Sequence, residues 1–204
     1  MKDGFGKYEV YAVAGSIYCY PDSGVLRNNF GICDSQMLKS LEADISAARQ
    51  TALIANPIAG RFTVHHLCAI HRYLLGDVYS FAGHFRREDI AKGETRFLSF
   101  REIGPKLTTL FSSLRYEAFL SGLNFDEFLS RTAYYFAELN YIHPFREGNG
   151  RTIREFMRLL MERNGYQVNW DAVPVETLLD AMIISVYDTK ILEDVLRQCL
   201  KNRD

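Results

Sequence analysis

Apolar residues recur at intervals of three and four along most of the chain, which is the spacing of amphipathic α-helices. The first stripe follows Asp34, a residue type that caps helices, and the second follows Thr63. The second stripe ends before Gly76, which is placed to terminate a helix. The stripe positions are Met37, Leu38, Leu41 and Ile45, then Leu67, Ile70, His71 and Leu74.

The middle of the chain contains two more helical stripes. One runs from Ile103 to Leu114. The other opens with Asn124 followed by Glu127, a pair that resembles a capping box. Its apolar face is continuous, so we expect it to be the central helix. The positions on that face are Phe125, Phe128, Leu129, Thr132, Phe136 and Leu139.

Three further helices are predicted in the C-terminal part. One runs from about Thr152 to Gly165, a glycine suited to a left-handed C-terminal position. Pro174 at a first-turn position and Thr189 as a cap open the last two. The pattern therefore predicts an all-α fold, a helical bundle.

Only residues 85–100 give a convincing strand signal. A Lys92-Gly93-Glu94 turn lies there between two short segments, which predicts one small β-hairpin. Residues 4–31, rich in Gly, Tyr and Pro, are expected to be irregular.

Length and charge narrow the class of protein. A chain of 204 residues that is 48% hydrophobic suits one domain over residues 1–204. Its 24 basic and 25 acidic residues nearly cancel, so composition offers no argument for direct nucleic-acid or membrane binding. Four separated cysteines without a CxxC pair, and no apolar run long enough for a membrane span, indicate a cytoplasmic protein.

The segment 143–154, HPFREGNGRTIR, carries the candidate chemistry. Arg151 and Arg154 fall in the first turn of a predicted helix, where the helix dipole disfavours cations, so an anion is expected there. Gly148 and Gly150 flank Asn149 and allow the backbone to form a nest of N–H groups. Together these features favour a di- or triphosphate.

A nucleotide polyphosphate usually binds with Mg²⁺, and Glu147 is the only acid in this loop, so Glu147 is the candidate metal ligand. His143 is suited to take a proton from an attacking hydroxyl. The Walker A and Rossmann patterns do not fit this segment. The alternative is a Gly-rich helix corner whose arginines pair with nearby acids.

This segment resembles the signature of the Fic family, His-x-Phe-x-Asp/Glu-Gly-Asn-Gly-Arg-x-x-Arg. Every fixed position is present: His143, Phe145, Glu147, Gly148, Asn149, Gly150, Arg151 and Arg154. The text LLGDVYSFAGHFRREDI, the KGETRF hairpin and the helix after the loop are also similar to the Fic core. The resemblance covers about residues 20–200.

The resemblance implies transfer of AMP from ATP to a hydroxyl side chain of a target protein, with attack at the α-phosphate. His143 would be the base and Glu147 would hold Mg²⁺. Arg154 would contact the γ-phosphate. The other expected phosphate contacts are Gly148, Asn149, Gly150 and Arg151, and we add Thr152 in the same turn as a further ATP-binding candidate.

The hairpin at 85–100 resembles the family's flap, which aligns the target segment by strand addition. Candidate nucleotide or target contacts are Lys92, Gly93, Glu94 and Thr95. A purely structural hairpin that covers the core is the alternative. Tyr187 is a further candidate for contact with adenine, although burial in the core explains it equally well.

Many Fic proteins carry an inhibitory helix with the pattern Ser/Thr-x-x-x-Glu-Gly/Asn. Thr189 and Glu193 fit half of it, but Asp194 follows, so we interpret Thr189 as a cap and Glu193 as exposed. The chain then resembles the subclass that a small antitoxin protein inhibits in trans. That subclass acts as bacterial toxins, and some members modify type II topoisomerase subunits.

Two other functions stay open at the sequence level. Doc-like phosphate transfer uses the same fold with the nucleotide reversed, but its motif lacks this Gly-Asn-Gly. A nucleotide-binding regulator without catalysis would not require His143 and Glu147. Secretion of the chain as an effector is also left open.

The remaining polar clusters are interpreted as structural. His65, His66, Cys68 and His71 share one helix, but no pair has the four-residue spacing of a helical zinc site. We expect His71 to pack under the 143–154 loop. The many tyrosines and phenylalanines lie at helical core spacing, which favours packing over nucleic-acid stacking.

Overall fold

The computed structural model describes residues 15–93 and 95–202, and within them the chain forms seven α-helices and two small antiparallel strand pairs. The helices are α1 (Ser35–Ala55), α2 (Val64–Leu75), α3 (Ile103–Tyr116), α4 (Phe125–Ile142), α5 (Asn149–Arg163), α6 (Val175–Ile184) and α7 (Lys190–Cys199). The strands are β1 (Ala91–Lys92), β2 (Thr95–Arg96), β3 (Tyr166–Val168) and β4 (Leu200–Asn202). The predicted all-α fold with a small hairpin is confirmed.

Helix α4 lies at the centre, with α3, α5 and α7 packed around it. Phe128 and Phe136 of α4 are almost completely buried, as the continuous apolar face predicted. Helix α5 packs against both α4 and α2, and α1 packs against α2. The loop between α4 and α5 is therefore held by the two helices at the middle of the core.

Three of the predicted caps are confirmed. The side chain of Asp34 accepts a hydrogen bond from the Met37 amide at 2.7 Å, and Thr63 caps α2. Asn124 and Glu127 form the reciprocal bonds of a capping box. Each cap satisfies amide groups that the first turn of a helix leaves without a partner.

Thr189 is different, because its hydroxyl donates to Glu193 at 3.2 Å instead of capping α7. The carboxylate of Asp188 accepts the Lys190 amide at 2.9 Å in its place. The expectation of an exposed Glu193 is also wrong, since this side chain is partly buried and lies within 3.7 Å of Lys190.

The strands show where hydrophobic patterning is weakest. Within 85–100 only two residues on each side of the turn pair, Ala91 with Arg96 and Lys92 with Thr95. The pairing of β3 with β4 was not predicted, because three-residue strands are too short for an alternating pattern and lie more than 30 positions apart. Met37, counted in the first apolar stripe, is 62% exposed.

None of the helices in 15–93 and 95–202 has the length and apolar character that a membrane crossing requires. The first part of the irregular lead, residues 4–14, lies outside the described residues. From residue 15 to α1 the lead contains one isolated bridge, between Cys19 and Leu26. The rest of that stretch is turns and bends, as expected.

Candidate active site

His143 is the residue at which α4 ends. Its backbone is left-handed, with φ 46° and ψ 61°, a conformation that costs a non-glycine residue about 1–2 kcal/mol. Its amide still bonds to the Leu139 carbonyl at 3.0 Å, so the helix is complete up to this point. Pro144 follows and cannot continue a helix. The chain therefore turns sharply and carries the imidazole into the loop.

Hydrogen bonding defines which imidazole nitrogen of His143 is basic. Nδ1 lies 3.0 Å from the carbonyl oxygen of Asn140. Since a carbonyl only accepts, Nδ1 must carry the proton, and Nε2 holds the lone pair in the neutral ring. Phe97 stacks on the imidazole with ring centroids 3.7 Å apart and fixes its plane.

Burial lowers the pKa of His143 to about 3, and the nearby charges of Lys92 and Arg86 act in the same direction. The ring is therefore neutral at physiological pH. Anionic phosphates bound beside it would oppose those two positive charges and raise the pKa, which improves the ring as a base when nucleotide is present.

Asn149 has a structural task in the loop. Its side-chain oxygen accepts the Phe145 amide at 2.8 Å, and its amide donates to the Phe145 carbonyl at 2.7 Å. Asn149 is 1% exposed, so its contribution to phosphate binding would come through its backbone N–H. Phe145 itself is fully buried and stacks on His71.

Gly148 begins α5 from a left-handed conformation, φ 74°. A Cβ at this position would lie 2.1 Å from Cδ1 of Leu75, so only glycine fits. The Gly148 carbonyl accepts both the amide and the hydroxyl of Thr152, at 3.1 and 3.0 Å. The Thr152 side chain is fully buried, and contact of Thr152 with ATP stays a prediction.

The first amides of α5 belong to Asn149, Gly150 and Arg151. The first N–H groups of an α-helix have no intrahelical acceptor and lie at the positive end of the dipole. The predicted phosphate-binding backbone is thus located at a helix N-terminus.

Arg151 and Arg154 have different surroundings. Arg151 donates to the Ser46 hydroxyl at 2.7 Å and to the carboxylate of Glu42, both on α1. Arg154 folds back over the first turn, because its Nη1 lies 3.4 Å from where a Cβ of Gly150 would be. Burial lowers the pKa of Arg154 to about 10, and the charge of Arg151 adds to this effect. Arg154 is therefore still charged at neutral pH.

The alternative interpretation of the loop, a corner whose arginines pair with acids, thus applies to Arg151. Sequence reasoning missed Glu42 because its partner is 109 positions away. Nothing in the polar face of α1 distinguishes Glu42 from its neighbours.

Glu147 is the candidate metal ligand. Its Oε1 accepts the Gly148 amide at 2.8 Å and lies 3.7 Å from Nη2 of Arg151. Partial burial and the charge of Glu42 raise the pKa of this carboxyl. A nearby cation would favour its ionised form.

The described part of the chain contains no group of three His, Cys, Asp or Glu side chains that could hold a metal. A single carboxylate beside a phosphate site fits Mg²⁺, which takes its other ligands from phosphates and water.

Arg86 joins the hairpin to the loop and was also missed. Its buried guanidinium donates to the carbonyls of His143 and Glu88, both at 2.9 Å, and to that of Leu98. Its amide donates to the Pro144 carbonyl at 2.9 Å. The guanidinium also donates to the Ile142 carbonyl at 3.3 Å. Five bonds from one residue therefore fix the hairpin relative to the end of α4.

The hairpin candidates are placed as follows. Lys92 is partly buried; burial lowers its pKa, while the charge of Glu147 acts in the opposite sense, which places Lys92 near the loop. Gly93 occupies the turn with φ 57°, and Thr95 lies in β2. Glu94 lies outside the described residues.

Tyr187 lies in the turn between α6 and α7 and is 87% exposed. Burial in the core is therefore wrong as an explanation for this residue. Contact of Tyr187 with adenine stays a prediction.

His71 packs under the loop as predicted. The Gly83 amide donates to its Nδ1 at 2.7 Å, so Nε2 carries the proton and donates to the Glu147 carbonyl at 2.9 Å. Burial lowers the pKa of His71 to about 4. His71 thus supports the loop as a neutral ring.

Comparison with known proteins gives the class of the chain. The sequence model of the Fic/DOC family matches residues 61–161. The Salmonella typhimurium protein named "Probable protein adenylyltransferase Fic" is 38% identical over 160 residues, which cover 78% of this chain and 79% of that protein. The chain belongs to the Fic/DOC family.

Two further relatives show how much of a longer protein and of a solved structure this chain matches. "Protein adenylyltransferase VbhT" of Bartonella schoenbuchensis is 38% identical over 186 residues, 91% of this chain but only 39% of VbhT. The crystal structure of BepC, a VirB-translocated effector of Bartonella tribocorum with bound AMPPNP, superposes with a TM-score of 0.84 at 25% identity. The superposition covers 92% of this chain and 97% of the BepC chain. The enzyme class predicted from the sequence, protein adenylyltransferase, is the one that the names of the Salmonella relative and of VbhT give.

Proposed function

We propose that this chain transfers AMP from ATP to a hydroxyl side chain of a target protein. The observation that carries the proposal is the neutral imidazole of His143, with its lone pair on Nε2, beside the N-terminus of α5. A base and a polyphosphate site on one loop are what nucleotidyl transfer requires.

At the α-phosphorus one bond forms and one breaks. The target oxygen bonds to the α-phosphorus as its proton passes to Nε2 of His143. The bond from the α-phosphorus to the oxygen bridging to the β-phosphate breaks, and pyrophosphate leaves. The amides of residues 149–151 and the charges of Arg151 and Arg154 stabilise the negative charge on the phosphates.

Glu147 would hold Mg²⁺ in this site. The metal would neutralise charge on the phosphate oxygens as pyrophosphate departs. Lys92, on β1 and near Glu147, adds a positive charge from the hairpin side.

The hairpin is proposed to align the target. Its two strands pair through only two residues each, so an extended segment could add to an edge and bond through its backbone. Gly93, Glu94 and Thr95 at the turn would contact the target or the nucleotide. Arg86 fixes this hairpin to the carbonyl of His143, which places any docked hydroxyl relative to the base.

We propose that a separate antitoxin inhibits the enzyme, because the candidate inhibitory residue of α7, Glu193, already has partners within its own helix region. Glu193 accepts from Thr189 and lies near Lys190. A bacterial toxin that acts on type II topoisomerase subunits in the cytoplasm is the proposed context. Secretion is the alternative, favoured by the likeness to the VirB-translocated BepC.

Radioactive ATP tests the reaction. We expect wild-type protein with Mg²⁺ to transfer label from the α position of ATP to a protein in a bacterial lysate. His143→Ala should lose this transfer by several orders of magnitude, since general-base catalysis contributes about 10²–10⁴-fold. Transfer of label from the γ position alone would favour Doc-like phosphate transfer. No transfer of label would favour the nucleotide-binding regulator without catalysis. An inhibitory partner that copurifies with the chain would also abolish transfer. The control is the growth of bacteria that express the chain without a partner.

A further inference from the structure

Glu42 of α1 has a place in the site that no sequence motif assigns. One oxygen of its carboxylate accepts from Arg151, and the other accepts from the Tyr79 hydroxyl. Ser46, one turn further along α1, accepts from the other terminal nitrogen of Arg151 at 2.7 Å. The guanidinium is thus held against α1 by two side chains.

The same guanidinium is close to the proposed metal ligand. Nη2 of Arg151, the nitrogen that bonds to Glu42, lies 3.7 Å from Oε1 of Glu147. Two carboxylates therefore compete for one arginine. The partly buried setting keeps the competition strong, since charges there are poorly screened. If Glu42 were neutral, Glu147 would be the remaining carboxylate beside Arg151.

We propose that Glu42 is a positioning residue that holds Arg151 against α1 and so leaves the Glu147 carboxylate available to a metal ion. This inference rests on the proposed function through the metal role of Glu147. Without Glu42, Arg151 pairs with Glu147, and the arginine and the cation then compete for the same oxygens. Residues behind a metal ligand commonly set its affinity in this way.

The test measures nucleotide binding and needs no turnover. AMPPNP is titrated calorimetrically into the protein with and without Mg²⁺, and the ratio of the two dissociation constants gives the factor by which Mg²⁺ tightens binding. Glu42→Gln keeps the size of the side chain and removes its charge. We expect this variant to lower the Mg²⁺ factor about tenfold. Ser46→Ala, a milder change, should lower it less and in the same direction.

The chain offers a matched control. Glu117 also accepts from an arginine and a tyrosine, Arg131 at 2.8 Å and Tyr135 at 2.9 Å, away from the loop. Glu117→Gln removes an equivalent charge and should leave the Mg²⁺ factor unchanged. Thermal unfolding of both variants shows that each is folded at the assay temperature.

A double-mutant cycle separates positioning from direct ligation. In an Arg151→Gln background no competing arginine is present, so Glu42→Gln should have no further effect on the Mg²⁺ factor. An equal fall in both backgrounds would mean that Glu42 acts on the metal directly and would overturn the inference. An unchanged factor in Glu42→Gln would overturn it as well.

The inference and the proposed function fail in different ways. If the AMPPNP affinity of the wild-type protein does not depend on Mg²⁺, the metal role of Glu147 is contradicted. The inference about Glu42 then fails too. A wild-type protein that shows the Mg²⁺ factor and its loss in Glu42→Gln, but transfers no AMP, contradicts only the proposed function.

Discussion

Asn149 closes a ring of two hydrogen bonds with the backbone of Phe145, and both bonds are buried. Replacing it with alanine leaves an amide and a carbonyl without partners, which we expect to lower the free energy of unfolding by about 1–3 kcal/mol. AMPPNP affinity should fall too, because the loop loses its shape. Urea unfolding and calorimetry measure the two effects.

Asn164 provides the control for that prediction. Its amide bonds to the carbonyls of Phe119 and Leu160 at the far end of α5, at 3.0 and 2.8 Å. Asn164→Ala should lower stability while nucleotide affinity is preserved in the folded protein. Unaltered AMPPNP binding by Asn149→Ala would contradict the role assigned to the loop.

The imidazole of His143 gives a second prediction at the residue scale. Since burial lowers its pKa to about 3, its carbon-bound proton signals should not shift between about pH 5 and 8 in the nucleotide-free protein. The urea-unfolded chain gives the reference titration. A titration midpoint near the ordinary histidine pKa in the folded protein would contradict this expectation. It would show that the ring is solvated and is charged below that pH.

Sequence spacing was sufficient to predict which residues of one short stretch lie together. His143, Glu147 and the arginines lie within twelve positions, so spacing alone brings them together. Glu42 and Arg86 reach the same site from other elements through contacts 109 and 57 positions apart. Such pairings depend on how helices pack, which local patterning does not encode. A helix start also does not show which of its side chains, such as that of Thr152, face the core.

At the scale of elements, the hairpin and the end of α4 should behave as one unit. Arg86→Met removes the side-chain bonds to four carbonyls, those of His143, Ile142, Glu88 and Leu98. We expect faster hydrogen exchange in 88–98 and 141–147 together, and a transfer rate that falls more than AMPPNP affinity does. Arg86→Lys, which can still reach one carbonyl, should recover part of the rate.

Arg158 controls for the loss of a buried arginine. It bonds to Glu155 and Glu162 within α5, away from the hairpin. Arg158→Met should destabilise the protein without coupling exchange in those two segments. If Arg86→Met loosens only one of them, the hairpin and the loop are independent.

Helices were predictable as elements because caps and the 3.6-residue period are local signals. Each of the seven predicted helices is present among the described residues. The start of α5 was placed at Thr152 and lies at Asn149, since Gly148 enters the helix from a left-handed conformation. The strands were less predictable, because each is two or three residues long and depends on a partner for its existence.

On the scale of the whole molecule, buried neutral histidines should make stability dependent on pH. Burial lowers the pKa of His143 to about 3 and that of His71 to about 4. Below about pH 6.5 the unfolded chain binds protons that the folded chain does not, so the free energy of unfolding falls as pH falls. Each histidine can contribute up to about 1.4 kcal/mol per pH unit.

Glu147 acts in the opposite sense. Its pKa is raised by folding, so its contribution to stability is present at low pH and is lost as pH rises through the folded value. Thermal unfolding between about pH 4 and 7 measures the balance, and His71→Gln should flatten the slope. A pH slope that is the same in the wild type and in His71→Gln would contradict the buried neutral state of His71.

The single domain over residues 1–204 stays a prediction. Among the described residues, one hydrophobic core extends from Cys19 to Leu200. The chain matches most of the Salmonella protein but less than half of VbhT. Composition and length predicted that the chain can form one hydrophobic core. Local sequence patterns do not encode whether the chain works within a longer protein or a complex.

In the proposed function, His143 directs AMP onto a hydroxyl of another protein. Mass spectrometry of a lysate treated with ATP, Mg²⁺ and this chain measures that transfer. We predict a peptide that gains one adenylyl group on a Ser, Thr or Tyr side chain, absent when His143→Ala is used. A gain of a phosphoryl group instead, or an adenylyl group that persists with His143→Ala, would contradict this role of His143.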